Sequence, residues 1–510
     1  MKKLVTALDR FLDMTTMYRV VLYGLSALLL YALLLSGLKV IAFSLSSLLL
    51  SFVVLVGVSL LTHVVCARLF KAPAFVESSF ITAFILFFVV APPQSASEVV
   101  WVVAVAFVAI VSKYIVAYKH KHIFNPVAIA LVVISACGSY ASIWWVGSTV
   151  MIVPTLIVGL LVIKKLRRFP LFFTYVGVST LVVLLYAGVH GAPLYDALLQ
   201  HFISWPTIFF GAIMLSEPST MPPTRKLQIG YAGLIGIISS IPFHLGTFLY
   251  SSPELALIIG NIVAFLMSTK GRIALTFKER ITVAQDTYEY VFKKDQTFSQ
   301  EAGQYMEWTL PHAHPDTRGI RRYFTIASSP DDEMVRLGVK IVEGGSSFKK
   351  ALQGFSHGYT MYATSVAGDF VLPQDTTKKL VFLAGGIGIT PFISMVRELS
   401  SKGGSRDIVL LYAARNEAAL GYKAYLEEMA KKVGMKVIYI LNEGDPKTVS
   451  SEYRIGVLQE AMLKELLPDY KTRTYYLSGP QVMVQAFTAT LKSMGIKGGD
   501  IHTDYFPGFA

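Results

Sequence analysis

Long apolar runs fill the first half of the chain, and short alternating runs fill the second half. Each long run ends in a polar or basic segment, and the runs lie at residues 20–37, 40–62, 77–92, 98–116, 124–137, 150–163, 171–188, 203–216, 229–249 and 255–268. A helix needs roughly 20 apolar residues to cross a bilayer core. The pattern therefore predicts a polytopic α-helical membrane domain of about ten spans.

Several of these runs are shorter than a full span and have proline or glycine at their ends. Short spans of this kind indicate broken helices, which persist at membrane depth only where protein or a cavity covers them. The third run ends in Ala91-Pro92-Pro93, and the eighth continues from Glu217 to Pro223. Because two sets of five runs would have opposite orientations, the shared breaker predicts a 5+5 inverted repeat with a site between its halves. Chance placement of proline-rich loops is the alternative.

After Arg272 the apolar residues alternate with polar ones in short runs, at 281–284, 288–292, 305–310, 322–328 and 335–342. Short strands separated by turn residues predict an antiparallel β-barrel.

From Lys378 strands and helices alternate. Strands are predicted at 380–384, 408–412, 437–441 and 474–477, helices at 391–402, 418–432 and 482–494, and a further segment at 458–465. This alternation predicts an α/β doubly wound nucleotide-binding domain. The chain should thus have three domains, at 1–272, 273–376 and 377–510.

Composition agrees with a membrane protein. Hydrophobic residues make up 54% of the chain and charged residues only 15%, and the mean hydropathy is +0.54. The net charge of +13 could indicate a nucleic-acid partner, but the basic residues cluster at the ends of the apolar runs. We therefore expect the lipid bilayer, and no nucleic acid, as the partner.

Basic residues also predict the orientation. With ten spans, one side collects Arg68, Lys71, Lys113, Lys119, Lys121, Lys164, Lys165, Arg167, Arg168, Arg225, Lys226, Lys270 and Arg272. The positive-inside rule places this side in the cytoplasm. We expect a multi-pass protein of the cell (inner) membrane with a cytoplasmic N-terminus and a cytoplasmic C-terminal half.

Two cysteines, Cys66 and Cys137, both lie in apolar segments. We predict small core residues at these positions and neither a disulfide nor a metal site. An iron-sulfur cluster held by cysteine alone needs four thiolates, which this chain cannot supply.

The segment from Arg321 to Pro330 carries side chains suited to a flavin. A guanidinium can neutralise a pyrophosphate, an aromatic ring can stack on an isoalloxazine, and a hydroxyl can bond a flavin ring nitrogen. Arg322, Phe324 and Thr325 supply these groups. On a strand, Arg322 and Phe324 should share one face and Thr325 the other. An ordinary surface strand is the alternative for this segment alone.

A glycine-rich turn follows the predicted strand at 380–384 and contains Gly385, Gly386, Gly388, Thr390 and Pro391. Such a turn lets a nucleotide approach the backbone, and the following helix start donates amides to phosphate. Together the two motifs resemble the ferredoxin-NADP reductase family. Further pieces follow the family's order, namely Gly344-Gly345-Ser346-Ser347, Tyr412-Ala413-Ala414-Arg415 and Ser478-Gly479-Pro480. The resemblance covers roughly residues 275–510.

The resemblance implies two ligands for the C-terminal half. FAD would bind the barrel through Arg322, Phe324 and Thr325, with Gly344, Gly345, Ser346 and Ser347 at its pyrophosphate. NAD(P)H would bind the glycine turn and Arg415, with Ser478, Gly479 and Pro480 near the nicotinamide and Phe506 over the flavin ring. Thr325, Ser478 and Phe506 would be the catalytic residues. Ser478 stands where many members have cysteine, and Phe324 replaces the usual tyrosine. Arg415 and Lys423 either reach a 2′-phosphate or are solvated, so NADH or NADPH stays open.

A second resemblance covers most of residues 15–270. It is carried by Ser79 to Ala83, His122-Ile123-Phe124-Asn125-Pro126, and Ser216-Glu217-Pro218 through Thr224-Arg225. These stretches resemble a family of membrane proteins with members in the sodium-pumping NADH:quinone reductase and in the Rnf complex. The resemblance implies a flavin in this half as well. The family's Ser-Gly-Ala-Thr attachment loop is absent, and Gly147-Ser148-Thr149 resembles a different stretch. Any flavin in this half should therefore be non-covalent FMN or riboflavin; the alternative is that FAD reduces a diffusible acceptor.

Polar residues at the predicted helix breaks have two interpretations. Asn125, Glu217, Thr224 and Arg225 could bind an anionic group such as a flavin phosphate. Alternatively, Asn125 and Glu217 cap helices and Arg225 anchors the topology. His63, His201 and His244 lack the paired spacing of a haem-type ferric reductase, so we expect packed or interfacial histidines.

The predicted function is a membrane-bound NAD(P)H-oxidising flavoprotein. Hydride would pass from NAD(P)H to FAD, and single electrons to a flavin, quinone or other acceptor in or across the membrane. The alternatives are a transporter or channel with a regulatory reductase module, or a ferric or haem-type transmembrane reductase.

Overall fold

The computed structural model describes residues 2–70, 76–119, 121–137, 142–245, 249–316, 318–443 and 452–506. The chain divides into two compact units, Met1–Gly271 and Arg272–Ala510.

The N-terminal unit is helical within its described residues. Its helices are α1 (Lys2–Met14), α2 (Met17–Gly37), α3 (Leu45–Leu69), α4 (Val76–Val89), α5 (Ala96–Ile115), α6 (Pro126–Ala136), α7 (Ile152–Leu166), α8 (Phe169–Val189), α9 (Leu194–Ile203), α10 (Thr207–Phe209, continued by a π-helix at Phe210–Met214), α11 (Arg225–Ser240) and α12 (Pro253–Met267). Two short hairpins pair β1 (Ala117–Tyr118) with β2 (Lys121–His122), and β3 (His244–Leu245) with β4 (Leu249–Tyr250).

Every predicted span overlaps one of these helices, but ten spans are not confirmed. Over the described ranges, four helices are long and apolar enough to cross a membrane, namely α2, α3, α5 and α8. A fifth span arises if α9 and the Thr207–Met214 helix, bent by 55° at a break that contains Pro206, count as one. The remaining apolar helices α4, α6 and α12 are shorter.

Five of the described helices of this unit start at a residue whose side chain caps them, and several helices pack in matched pairs. The side chains that accept the first free amides of α2, α3, α5, α6 and α12 belong to Thr16, Ser44, Ser95, Asn125 and Ser252. Helix α2 packs against α7, and α6 packs against α12. The contacts of α5 with α3 and α6 are matched by those of α11 with α8 and α12.

The two cysteines differ in burial. Cys66 is buried in α3, which confirms the prediction for this residue. Cys137 is exposed, because it caps the end of α6 and does not continue the helix core. The prediction of a core residue was wrong at Cys137.

The C-terminal unit begins with an antiparallel barrel. Its elements are β5 (Ile273–Ala284), β6 (Thr287–Lys294), β7 (Tyr305–Thr309), β8 (Arg321–Thr325), β9 (Met334–Lys340), α13 (Ser347–Gln353) and β10 (Thr360–Ala367). The order of the described strands is β8-β7-β10-β5-β6-β9. The edge strands meet where the amide of Ala327 donates to the carbonyl oxygen of Arg336 at 2.9 Å, which closes the barrel. The five predicted strands are confirmed, and β10 was missed.

An α/β lobe completes this unit. Its elements are β11 (Leu380–Gly385), α14 (Thr390–Ser401), β12 (Ile408–Ala414), α15 (Lys423–Val433), β13 (Met435–Leu441), β14 (Tyr453–Ile455), α16 (Glu460–Leu466), β15 (Thr474–Pro480), α17 (Gln481–Ser493) and β16 (Ile501–Phe506). The described strands are all parallel in the order β14-β13-β12-β11-β15-β16. The predicted doubly wound sheet is confirmed, although β14 and β16 were missed.

The central strand β11 is buried on both faces. Leu380, Phe382 and Ala384 pack into one core, and Val381 and Leu383 pack into the opposite core. The chain order reverses between β11 and its neighbours β12 and β15, and ligands of open α/β sheets bind at the carboxyl ends of strands at such a reversal. The fold therefore directs attention to the ends of β11 and β15.

Candidate active site

Strand β8 presents the predicted flavin residues on two faces. Arg322 and Phe324 both face Phe348 of α13, with the guanidinium 5.4 Å and the phenyl ring 5.7 Å from its ring centre. Thr325 lies on the other face, is 2% exposed, and its Oγ1 has no hydrogen-bond partner among the described atoms. The predicted alternation is confirmed.

The Arg322 guanidinium lies beside a carboxylate that the sequence did not single out. Its Nη1 donates to the carbonyl oxygens of Arg318 and Gly319 at 2.7 and 3.1 Å, and its Nη2 lies 3.4 Å from Oδ1 of Asp316. Arg318 also donates to Asp316, at 3.0 Å. Two guanidinium groups therefore converge on one anionic group.

The loop at the start of α13 converges on the same carboxylate. Gly344 adopts a left-handed φ of +76°, and Ser346 caps the helix. The amide of Ser347 donates to Asp316 Oδ2 at 3.1 Å, and its hydroxyl is 2.9 Å from Nε2 of His312. Burial raises the pKa of Asp316, but the hydrogen bonds from Ser347 and Arg318 outweigh burial and leave the pKa below its usual value. The Arg322 guanidinium of β8 and the Ser347 amide of α13 thus meet at one anionic group, the Asp316 carboxylate.

A lysine that sequence reasoning missed adds to this positive region. Burial lowers the pKa of Lys349 to about 8, helped by the charges of Arg318, Arg322 and Lys340. A cluster of cations around a helix start suits a pyrophosphate. No motif marked Lys349, His312 or Asp316 in the sequence, because the roles of these residues depend on tertiary contacts such as those of His312 and Asp316 with Ser347.

The glycine turn lies directly against β15. Ala384 and Ser478 are register partners. A Cβ on Gly388 would overlap the carbonyl oxygen of Ser478 and stand 2.6 Å from the Cα of Gly479, while Gly386 takes a left-handed φ of +53°. Only glycine permits this approach, so the turn and Ser478-Gly479-Pro480 form one site.

Ser478 resembles Thr325 in having an unsatisfied hydroxyl. Its residue is fully buried, and its Oγ has no hydrogen-bond partner in the described part of the chain. Thr325 ends β8 and Ser478 lies near the end of β15, and their hydroxyls, like several other buried atoms of the described residues, lack a hydrogen-bond partner. Ligand atoms at these two hydroxyls would supply a partner, and the residues therefore fit the predicted flavin and nicotinamide.

A cavity of about 300 Å³ opens at the carboxyl ends of β11, β12, β13 and β15. Its lining includes Gly385, Gly386, Arg415 and Pro480, together with Lys340 from the barrel. Four of the predicted nucleotide residues thus line one cavity, whereas Gly388, Thr390, Pro391, Ser478 and Gly479 are not among its lining residues. Thr390 and Pro391 begin α14 behind the turn, and the Thr390 hydroxyl donates to the carbonyl oxygen of Ile387 at 3.2 Å.

Acidic partners hold the two basic residues that were considered for a 2′-phosphate. Arg415 Nε lies 2.9 and 3.0 Å from the two carboxylate oxygens of Glu443. Lys423 Nζ lies 2.6 Å from Glu417 Oε1. The backbone of Phe506 ends β16 opposite Pro480, and its side chain lies outside what the structure describes.

In the N-terminal unit the structure brings Asn125 and Glu217 together. Asn125 Oδ1 accepts the amides of Val127 and Ala128, and its Nδ2 donates to Glu217 Oε2 at 2.8 Å. Glu217 Oε1 also lies 3.2 Å from His122 Nε2. Asn125 therefore caps α6, as the alternative interpretation of this residue expected, and the Glu217 carboxylate lies beside it.

The other predicted residues of this unit have separate positions. Thr224 precedes α11 without a capping hydrogen bond from its side chain, and Arg225 is the first residue of that helix. His63 and His201 are buried and contact Tyr114 and Ser179, which confirms packed histidines. The side chain of His244 lies outside the described set.

Comparison with known proteins matches the C-terminal unit. Residues 382–489 match the family model described as the oxidoreductase NAD-binding domain. The flavohemoprotein of Bacillus subtilis (strain 168) is 28% identical over 208 residues, which are 40% of this chain and 51% of that protein. The chain therefore spans about half the length of that relative.

Two further matches come from Amycolatopsis. The reductase subunit of an aromatic O-demethylase is 28% identical over 241 residues, 46% of this chain and 69% of that protein. The crystal structure of the Amycolatopsis cytochrome P450 reductase GcoB has 28% identity and a TM-score of 0.41, and the match covers 46% of this chain and 69% of that chain. The family model covers the glycine turn, which follows β11 within residues 382–489. Residues 382–489 are therefore an oxidoreductase NAD-binding domain, and the C-terminal half of the chain is an NAD(P)H-dependent flavin oxidoreductase module.

Proposed function

We propose that the whole chain is a membrane-bound NAD(P)H-oxidising flavoprotein that delivers electrons to an acceptor in or across the membrane. The observation that carries this proposal is the close approach of Gly388 to Ser478, within the same compact unit as the Arg322 and Ser347 anion site. One unit would thereby bind both ligands.

Within this unit, the predicted site residues would bind FAD and NAD(P)H and orient them toward each other. Arg322, Ser346 and Ser347, with Gly344 and Gly345 in the loop, would hold the FAD pyrophosphate in place of the Asp316 carboxylate, which would have to move aside. Lys349 would add positive charge. Bound FAD would accept the hydride of NAD(P)H, two electrons with one proton, leave NAD(P)⁺, and release the proton as the two electrons pass singly to the acceptor.

Thr325 and Ser478 would donate hydrogen bonds to the reacting rings. Their buried hydroxyls have no hydrogen-bond partner among the described atoms, so each would be available to a ligand atom. Phe324 would pack against the flavin, and Phe506 would cover it from the end of β16. Gly385, Gly386, Gly388, Thr390 and Pro391 would take the nucleotide phosphates, with Gly479 and Pro480 beside the nicotinamide.

For the N-terminal unit we propose a membrane domain built as a 5+5 inverted repeat. The matched pairs support it, since α2 with α7 and α6 with α12 join equivalent members of the two halves. The long helices α2, α3, α5 and α8 would cross the bilayer, and the shorter apolar helices would pack between them. The basic side would face the cytoplasm, together with the reductase module.

The acceptor in this unit is proposed to be a quinone or a non-covalent FMN or riboflavin. The resemblance to membrane proteins of the sodium-pumping reductase and the Rnf complex supports a flavin. The carboxylate of Glu217 at Asn125 argues against a flavin phosphate at that point, because like charges repel.

The test uses the purified full chain in detergent. We expect flavin that is released by acid precipitation, and oxidation of NADH or NADPH when a quinone or a ferric compound is supplied. Protein that carries no flavin and oxidises neither nucleotide would exclude the proposal. Flavin that stays with the acid precipitate would exclude a wholly non-covalent set.

A transporter with a regulatory reductase is the second candidate. Its support is the burial of Glu254 and Asn261 within α12, at 2% and 0% exposure. Buried polar residues of spanning helices often mark ion pathways. Chain reconstituted in vesicles would show ion flux without nucleotide if transport were the main activity, and no flux without nucleotide if electron transfer were.

A further inference from the structure

Helix α14 fastens the nucleotide lobe to the barrel through two side chains. Ser394 Oγ donates to the carbonyl oxygen of Ser328 at 2.8 Å, and Arg397 Nη1 donates to that of Ala327 at 2.7 Å. Ser394 is 1% exposed, and the Arg397 side chain is 13% exposed. Both acceptors follow Thr325 closely in the chain. The helix therefore holds the segment that leaves the flavin strand.

Arg397 also binds a buried carboxylate of the barrel. Its Nη1 lies 2.9 Å from Oε1 of Glu289, and its Nη2 lies 3.2 Å from Oε2. Glu289 is on β6 and is 2% exposed. Burial alone would lower the pKa of Arg397, but the charge of Glu289 outweighs burial and the pKa lies above its usual value. The guanidinium therefore remains charged and holds two barrel groups at once.

The contacts of Ser394 and Arg397 with the barrel connect the two predicted ligand sites. Helix α14 begins at Thr390, where the glycine turn ends, and Arg397 lies on the same rigid helix about two turns later. Ala327 and Ser328 are two and three residues beyond Thr325. Hydride transfer needs the reacting atoms at roughly 3–3.5 Å, and a shift of about 1 Å can cost a factor near 10² in rate.

We propose that Arg397 is a positioning residue for hydride transfer, which fixes the nicotinamide site relative to the flavin site by holding Ala327 and Glu289 together. The inference rests on the proposed function of the reductase module. A lysine could not replace this arginine, because a single ammonium lacks the planar fork that reaches both groups.

Arg336 also contacts the Glu289 carboxylate. A variant of Arg336 can therefore separate an effect on hydride transfer from an effect on stability. Arg336 Nη1 lies 2.8 Å from Glu289 Oε2, but Arg336 is on β9, which pairs with β6 inside the barrel. Losing Arg336 weakens the same ion network and leaves the lobes joined through Arg397. Arg336→Gln is therefore the matched control for Arg397→Gln.

The experiment compares the full chain with its Arg397→Gln, Arg336→Gln and Ser394→Ala variants. Flavin content and Tm are measured first. The limiting rate of flavin reduction is then followed by absorbance, without oxygen, at saturating NADH or NADPH. We expect Arg397→Gln to lower the limiting rate roughly tenfold or more. Arg336→Gln should lower Tm to a similar degree and leave the limiting rate unchanged.

Ser394→Ala keeps the test decisive if Arg397→Gln loses its flavin. It removes one inter-lobe hydrogen bond and no charge, so it should retain flavin and still slow the reduction. The inference is overturned if Arg397→Gln and Arg336→Gln slow the reduction equally, or if neither Arg397→Gln nor Ser394→Ala slows it. A wild-type chain without flavin or nucleotide oxidation would instead overturn the proposed function, and this inference with it.

Discussion

Gly388 and Ser478 approach so closely that a side chain on the glycine would overlap the serine carbonyl oxygen. The turn after β11 and the end of β15 therefore form one surface at the reversal of the sheet, which is where a nucleotide is expected to bind.

Replacing Gly388 with alanine should disturb that surface. The added Cβ meets backbone and not a flexible side chain, so Gly388→Ala should lower the free energy of unfolding by about 1–3 kcal/mol and weaken NAD(P)H binding. Thermal unfolding and nucleotide titration measure the two effects. Gly499→Ala is the control, since nothing lies within 4 Å of its added Cβ. Equal losses for both variants would contradict the prediction.

Removing the buried hydroxyl of Thr325 should affect stability and the rate of flavin reduction in opposite ways. In flavin-free protein, Thr325→Val should leave the free energy of unfolding unchanged or raise it by about 1 kcal/mol, because an unpaired buried hydroxyl is costly. In the flavin-loaded protein it should slow reduction by NAD(P)H roughly tenfold. Thr325→Ser keeps the hydroxyl and should retain the rate. A flavin-free Thr325→Val protein that is much less stable would show that the hydroxyl has a protein partner.

The lowered pKa of Lys349 should make both the free energy of unfolding and the FAD affinity depend on pH. Its pKa falls from 10.5 to about 8 in the folded chain, chiefly through burial. Between these values the unfolded chain holds a proton that the folded chain has lost, so the free energy of unfolding should rise with pH in that window. The FAD affinity of the flavin-free protein should fall as pH rises through about 8, because the positive charge is lost.

Fluorescence titration of FAD at several pH values checks this dependence. Lys349→Met should remove it, while Lys350→Met, which changes the exposed neighbour on the same helix, should keep it. An unchanged dependence in Lys349→Met would assign the titration to another group.

Asn125→Asp tests the contact with Glu217. Aspartate keeps the capping acceptor for Val127 and Ala128 but replaces the donor to Glu217 with an oxygen. We expect the free energy of unfolding in detergent to fall by about 1–3 kcal/mol, since two acceptors then face each other. Ser44→Asp, at the exposed cap of α3, should be nearly neutral. A neutral Asn125→Asp would mean that Glu217 is protonated or displaced.

Local patterns were enough to predict most elements of the fold. Alternation located β6 and β9, and a wholly apolar run located β11, because the side-chain period of a strand is visible in sequence. Strand β10 was missed, since Thr360–Ala367 mixes small and polar residues. Helix ends were harder to predict, because the apolar run at 229–249 continues past Ser240, where α11 ends.

Only those residues of the candidate site that belong to a sequence motif could be predicted. Arg322, Gly388 and Ser478 belong to recognisable stretches, and the fold brings their stretches into one unit. Asp316 was missed because no motif marks its loop, although its partners Arg318 and Arg322 lie close in sequence. Arg397 could not be found, because its partner Glu289 lies 108 residues away in sequence. Such pairings depend on tertiary arrangement, which no local period encodes.

The double-sided burial of β11 limits where this lobe can change. A polar substitution between Leu380 and Ala384 would enter one core or the other, so the strand can act only as inert scaffolding. New specificity for a nucleotide has to arise beyond residue 384, where the chain leaves the sheet, and evolution of this reductase is therefore confined to the rim of an otherwise fixed platform.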